Sequence, residues 1–117
     1  MSDNLPARLP NADRAVVEDG KLAGYLLNVT HPAGGPKARF FLAHGFSSDR
    51  PDDLRAVLIA HGHAHPVERV QLAPHGSRYI VVGPLTLPDG AIRTVRTVWQ
   101  FDHGMDFPRL LTAHPDE

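Results

Sequence analysis

Apolar side chains first recur at helical spacing at Leu22, Tyr25 and Leu26, an i, i+3, i+4 pattern that predicts a short helix with Asp19 as its N-cap. Gly24 lies inside that helix and weakens it by about 1 kcal/mol relative to alanine. Residues 28–36 read as a turn: His31-Pro32 restricts the backbone ahead of the proline, and Gly34-Gly35 frees it afterwards. Pro36 suits a first helical position, so a second helix is predicted from Lys37 to His44. It ends at Gly45 as C′ and turns Ala38, Phe41 and Leu42 inward. Capping residues between Ser47 and Asp53 open a third helix. Its stripe is Leu54, Val57, Leu58 and Ile59 or His61, and it stops at Gly62.

From Val67 onward the apolar period changes from 3.6 to 2, the spacing of strands. The predicted strands are Val67 to Leu72, Arg78 to Leu87, Ala91 to Phe101 and Arg109 to His114. Asp89-Gly90 signals a hairpin between the two long runs. A two-residue loop sets Leu87 opposite Ile92, and a three-residue loop sets it opposite Ala91. The choice decides which arginine shares a face with Val81. Short helices followed by a four-stranded antiparallel meander make an α+β fold. Ahead of them, residues 1–10 read as a loose arm, Arg14 to Val17 as an edge strand or lead-in, and residues 11–117 as a single domain.

Composition narrows the chemistry. A chain of 117 residues supports one core. Zero cysteines exclude disulfides, thiolate nucleophiles and cysteine zinc sites, so a metal would need histidine and carboxylate ligands. Twelve Lys and Arg against thirteen Asp and Glu leave a formal charge of −1, which draws the protein to neither nucleic acid nor anionic lipid as a whole. Bases nonetheless dominate residues 35–45 and 91–97, so a local basic patch is open to it. No apolar run is long enough to cross a membrane. The opening MSDNLPARLP carries no secretory signal pattern, although export within a larger secreted chain would leave no mark.

Four constellations could carry chemistry. In the turn from His31 to Arg39, the glycines allow close backbone approach, the helix opening near Pro36 offers N–H groups, and Lys37 adds a point charge. The same residues also suit a tight connection in which His31 caps a helix end. The strand from Arg93 to Trp99 places Arg93, Val95, Thr97 and Trp99 on one face and Thr94, Arg96 and Val98 on the other. Arg96 can grip a phosphate or simply wet the sheet. Trp99, among Val95, Val98 and Phe101, reads as core. Thr112 and His114 share a face of the last strand and can present a hydroxyl and an imidazole to one cleft, or fray with the end of the strand. His61-Gly62-His63-Ala64-His65 invites a His₃ metal site, but no suitably spaced carboxylate accompanies it, and an exposed helix-to-strand loop is the better reading.

LPNADRAVV, KLAGYLLNVTHPAGGPKARFF, YIVVGPLTLPDG, RTVRTVW and PRLLTAHP together resemble a family of small bacterial domains found alone and at the C-terminal tips of polymorphic toxins. The resemblance spans Leu9 to Pro115. It rests on Lys21, Tyr25 to Leu27, His31-Pro32, Gly35 with Lys37-Ala38, Thr97 to Trp99 and Pro108 to Pro115. His114 departs from it, standing where the family more often has tyrosine, which weighs against a role specific to its imidazole. The order of elements is also similar to the superfamily that groups barnase, colicin and RelE-type ribonucleases. The resemblance thus implies a metal-independent RNA-cleaving toxin domain with no cofactor. His31 or His114 would be acid or base, Lys37 and Arg96 phosphate clamps, and Thr112 a positioning hydroxyl. RNA would be the substrate, the cytoplasm the site of action, and a cognate antitoxin or immunity protein the partner. The alternative is a non-catalytic protein-binding module of a toxin–antitoxin or phage-associated system, which the near-neutral charge favours.

Overall fold

The computed structural model describes residues 7–116. After a 3-10 turn at Ala12–Arg14 come α1 (Asp19–Lys21), a π turn (Leu22–Leu26), α2 (Gly35–Ala43) and α3 (Pro51–Ala64). The strands follow: β1 (Val67–Ala73), β2 (Gly76–Thr86), β3 (Ile92–Asp102) and β4 (Arg109–Pro115). They form one antiparallel sheet in the order β1-β2-β3-β4, so the expected α+β arrangement of helices on a meander is what the chain adopts. Among the described residues, no helix is long and apolar enough to cross a membrane.

The β2–β3 hairpin takes the three-residue loop. Thr86 pairs with Ile92, and the Leu87 amide donates to the Ala91 carbonyl at 2.8 Å. Asp89 holds this choice by accepting from the Ala91 amide at 3.0 Å and bonding the His44 ring at 2.8 Å. Val81 then faces Thr97, and Arg93 shares their parity, its guanidinium 5.6 Å from the centre of the Phe40 ring. Arg96 points to the opposite face. Trp99 is fully buried on the helix side beside Val81, Val95 and Leu110, and its indole N–H donates to Thr97 Oγ1 at 2.9 Å.

The first helix differs from expectation. Glu18, not Asp19, occupies the N-cap without a side-chain bond, while Asp19 pairs with Arg55. The helix then widens, the Leu27 amide reaching the Leu22 carbonyl at 2.8 Å. The wider turn sits where Leu22, Leu26 and Leu27 are buried together and Tyr25 stays at the rim.

Helix α3 does not stop at Gly62 but runs two residues further, because that glycine is a contact surface. A Cβ there would lie 2.7 Å from Trp99 Cζ2. Gly62→Ala should therefore destabilise the fold by about 1–3 kcal/mol despite the better helix propensity of alanine, measurable by urea unfolding. The expected loop at residues 61–65 is thereby corrected: its first residues are helical. His61 is buried, with its ring nitrogens 3.0 Å from Thr97 Oγ1 and 3.1 Å from the Gly83 carbonyl. Among the described residues, no group of three or more His, Cys, Asp or Glu is placed to hold a metal.

Burial pushes His61 below the ordinary imidazole value, outweighing the Gly83 hydrogen bond, and the neighbouring His65 adds to the depression. The unfolded chain thus takes up the proton at higher pH than the folded one. Stability from neutral His61 is complete above about pH 6.5 and declines as pH falls below it toward the folded value. Tm should drop on acidification through this window, and His61→Gln should flatten that part of the curve.

Of the arm expected over residues 1–10, residues 1–6 lie outside the described residues. The rest is docked: Leu9 is buried, the Ala7 carbonyl accepts from the Val67 amide at 3.1 Å, and Arg8 donates to the Ala64 carbonyl. Val16 makes a parallel bridge to Arg109, its amide on the Pro108 carbonyl and its carbonyl on the Leu110 amide, each at 2.9 Å. That lead-in covers the start of β4, and α2 approaches the remainder.

Candidate functional site

The turn that leads into α2 is held from within. His31 Nδ1 accepts from the amides of Ala33 at 3.0 Å and Gly34 at 2.9 Å, so the ring hydrogen sits on Nε2. The Gly35 amide donates to the His31 carbonyl at 2.8 Å, and Pro36 has no N–H. The backbone donors expected to cradle an anion are thus largely engaged inside the turn, as the capping reading has it. The glycines serve packing: a Cβ on Gly34 would stand 2.5 Å from the Tyr25 carbonyl, and one on Gly35 2.6 Å from that of Val29.

What this packing presents is a side-chain triangle. Lys37 Nζ donates to Thr112 Oγ1 at 3.0 Å and to the Tyr25 hydroxyl, and Tyr25 Oη lies 3.1 Å from Thr112 Oγ1. Three distant stretches of chain meet here: the π turn, the first turn of α2 and β4. Partial burial opposes ionisation of the Tyr25 phenol. The hydrogen bonds from Lys37 and Thr112 and the charges of Lys37 and Lys21 outweigh it, leaving the group below the ordinary tyrosine value.

Beside the triangle opens a cavity of about 400 Å³ lined by Pro36, Lys37, Thr112, His114 and Pro115. His114 Nδ1 is 3.0 Å from the Pro115 carbonyl. A carbonyl only accepts, so Nδ1 carries a hydrogen, and in the neutral ring Nε2 is the acceptor nitrogen. Tyr25 itself helps line a second cavity of about 420 Å³, with Glu18, Gly20, Lys21, Gly24 and His31. The His31 ring stands perpendicular to that of Tyr25 at 5.0 Å between centres.

Of the five residues singled out from the sequence, Lys37, Thr112 and His114 therefore share one cavity. His31 lies in the other, edge to face with the Tyr25 ring. Arg96 pairs in register with His114, but its guanidinium is engaged by Asp116 at 2.9 Å and Glu68 at 3.5 Å. Sequence reasoning missed Tyr25 and Lys21 as site residues. Helical spacing assigned Tyr25 to the inward stripe, and the signal that could have found both was their place among the positions carrying the family resemblance.

The fold and site define a small α+β domain with a lysine–tyrosine–threonine centre between a helical turn and the last strand of a meander. The chain belongs to the family described as "Domain of unknown function (DUF6883)", whose model matches residues 8–117. No curated protein matches the sequence significantly. Among solved structures it is similar to a chain of the "Contact-dependent growth inhibition toxin - immunity protein complex from Klebsiella pneumoniae 342". The TM-score is 0.65 and the identity 19%, over 86% of this chain and 99% of that one. At that identity the likeness is one of fold.

Proposed function

We propose that the domain is a metal-independent endoribonuclease toxin, acting in the cytoplasm of its target and neutralised by a cognate immunity or antitoxin protein. The observation that carries the reading is the convergence of Lys37, Thr112 and Tyr25 beside the cavity that also holds His114. The scissile phosphate sits against Lys37, whose charge offsets the negative charge that builds on it in the transition state. His114 Nε2 takes the proton of the ribose 2′-hydroxyl, the 2′-oxygen attacks phosphorus, and the 5′-oxygen leaves. Tyr25, its phenol held below the ordinary tyrosine value by Lys37 and Thr112, returns a proton to that leaving oxygen. The products are a 2′,3′-cyclic phosphate and a 5′-hydroxyl. Thr112 holds Lys37 and Tyr25 in register. Arg96, through Asp116, steadies the end of the strand that carries His114. The fold shared with a chain of a toxin–immunity complex and the element order similar to the barnase, colicin and RelE-type enzymes support this assignment, by analogy of fold.

Controlled expression in bacteria tests it. Growth arrest is expected, with RNA fragments bearing cyclic phosphate ends that persist in chelator-treated lysate. Normal growth with intact RNA at good expression overturns it. The second reading, a non-catalytic protein-binding module, is favoured by Leu72 and Met105, which are 93% and 52% exposed and line a third cavity together. A binder of that kind leaves RNA intact and is indifferent to changes at Lys37.

A further inference from the structure

The cavity lined by Lys21, Tyr25 and His31 takes no part in the proposed reaction, yet it holds a cationic and a hydrogen-bonding side chain. Lys21 Nζ stands 4.9 Å from the centre of the Tyr25 ring, the same separation as Lys37 Nζ. Lys37 lines one cavity and Lys21 the other, and both ammonium groups approach the same Tyr25 side chain. None of the ion pairs among the described residues includes Lys21. The one carboxylate lining this cavity, Glu18, is 3.5 Å from the Arg109 guanidinium, which offsets it. His31, with Nδ1 occupied by backbone amides, has its N–H at Nε2. Gly20 and Gly24 leave open space where side chains would otherwise stand.

We propose that this second cavity is a phosphate subsite, which takes the phosphodiester adjoining the one held at Lys37. The identity of the strand rests on the ribonuclease reading; the anion site itself rests on Lys21, His31 and the open cavity. A single strand carries one charge per nucleotide. Two ammonium groups that line separate cavities suit two successive phosphates better than one. Lys21 supplies the charge and His31 the directed hydrogen bond. Binding energy from this non-reacting phosphate fixes the register of the strand over Lys37 and His114.

The test uses the full chain and a 2′-O-methylated oligoribonucleotide, which binds without being cleaved. Lys21→Gln is expected to weaken binding about tenfold and to reduce the slope of log affinity against log salt by about 0.7, one phosphate contact on a single strand. Lys21→Arg restores both. Gly24→Asp, which places a carboxylate in open space and leaves Lys21 intact, weakens binding in the same direction. Neutral methylphosphonate linkages, introduced one at a time, locate the contacts. The linkage that cancels the Lys21→Gln effect adjoins the linkage that cancels the effect of Lys37→Gln. Unchanged affinity and slope in Lys21→Gln, or one linkage cancelling both lysines, overturns the subsite. Inorganic phosphate, followed through the His31 imidazole resonances, separates the two readings. A Lys21-dependent shift without any RNA binding removes the ribonuclease reading and leaves the anion site standing. Cleavage that depends on Lys37 and is indifferent to Lys21 does the reverse.

Discussion

Lys37→Gln is expected to lower RNA cleavage by about 10²–10³-fold while leaving the fold intact, the loss typical of removing one preorganised donor from a site of developing charge. Lys37 lies in the first turn of a nine-residue helix whose inward face, Ala38 and Phe41, is untouched by the change. Its partners are two hydroxyls, and these keep one another at 3.1 Å once the ammonium is gone. The loss should therefore appear in single-turnover cleavage and not in Tm. Tyr25 supplies a second readout. With the hydrogen bond and charge of Lys37 removed, only the Thr112 hydrogen bond and the Lys21 charge still act against burial of the phenol. One tyrosine titration should then move to higher pH in the ultraviolet spectrum. Unchanged cleavage with a shifted tyrosine would place Lys37 in the structure and outside the chemistry.

His114→Ala carries an expected loss of about 10²–10⁴-fold, the range for a positioned proton-transfer group. The side chain lines the cavity with Lys37 and Thr112, and its hydrogen bond is to the adjacent Pro115 carbonyl near the end of β4, so truncation strips little from the core. His114→Tyr should retain more activity than the alanine variant, because a phenol also relays protons. Equal loss in both variants would tie the reaction to imidazole. Full activity in the alanine variant would move the base elsewhere, with His31 beside the Tyr25 ring the next candidate imidazole.

Local signals served well where local physics decides. Pro36 falls in the first turn of α2, one residue later than its predicted place at the start, and Gly45 follows its end, because a missing amide and a left-handed φ of 106° are properties of those residues wherever they fall. Alternation from Arg93 to Trp99 divided the two faces of β3 correctly, since pleating has a fixed period. The hairpin register stayed open because it depends on Asp89 bonding His44 at the end of a distant helix. Gly62 misled for a similar reason: its lack of a side chain is explained by Trp99, thirty-seven positions away, and not by the helix. In the site, Lys37, Thr112 and His114 were legible as polar groups on predicted faces. The engagement of Arg96 was not, because Glu68 and Asp116 reach it from other parts of the sheet. Tyr25 was hidden by a π turn, whose extra residue per turn carries it off the stripe that 3.6-residue spacing predicts.

The contact of Gly34 and Gly35 with the carbonyls of Tyr25 and Val29 makes the connection between the π turn and α2 a spacer of fixed length. Most surface loops absorb insertions at small cost. This one sets the separation of a phenol and an ammonium through backbone touching backbone, with no side chain between to give way. Length variation among homologues should therefore collect in the β1–β2 and β3–β4 connections, while residues 28–35 keep their number even where their identities drift.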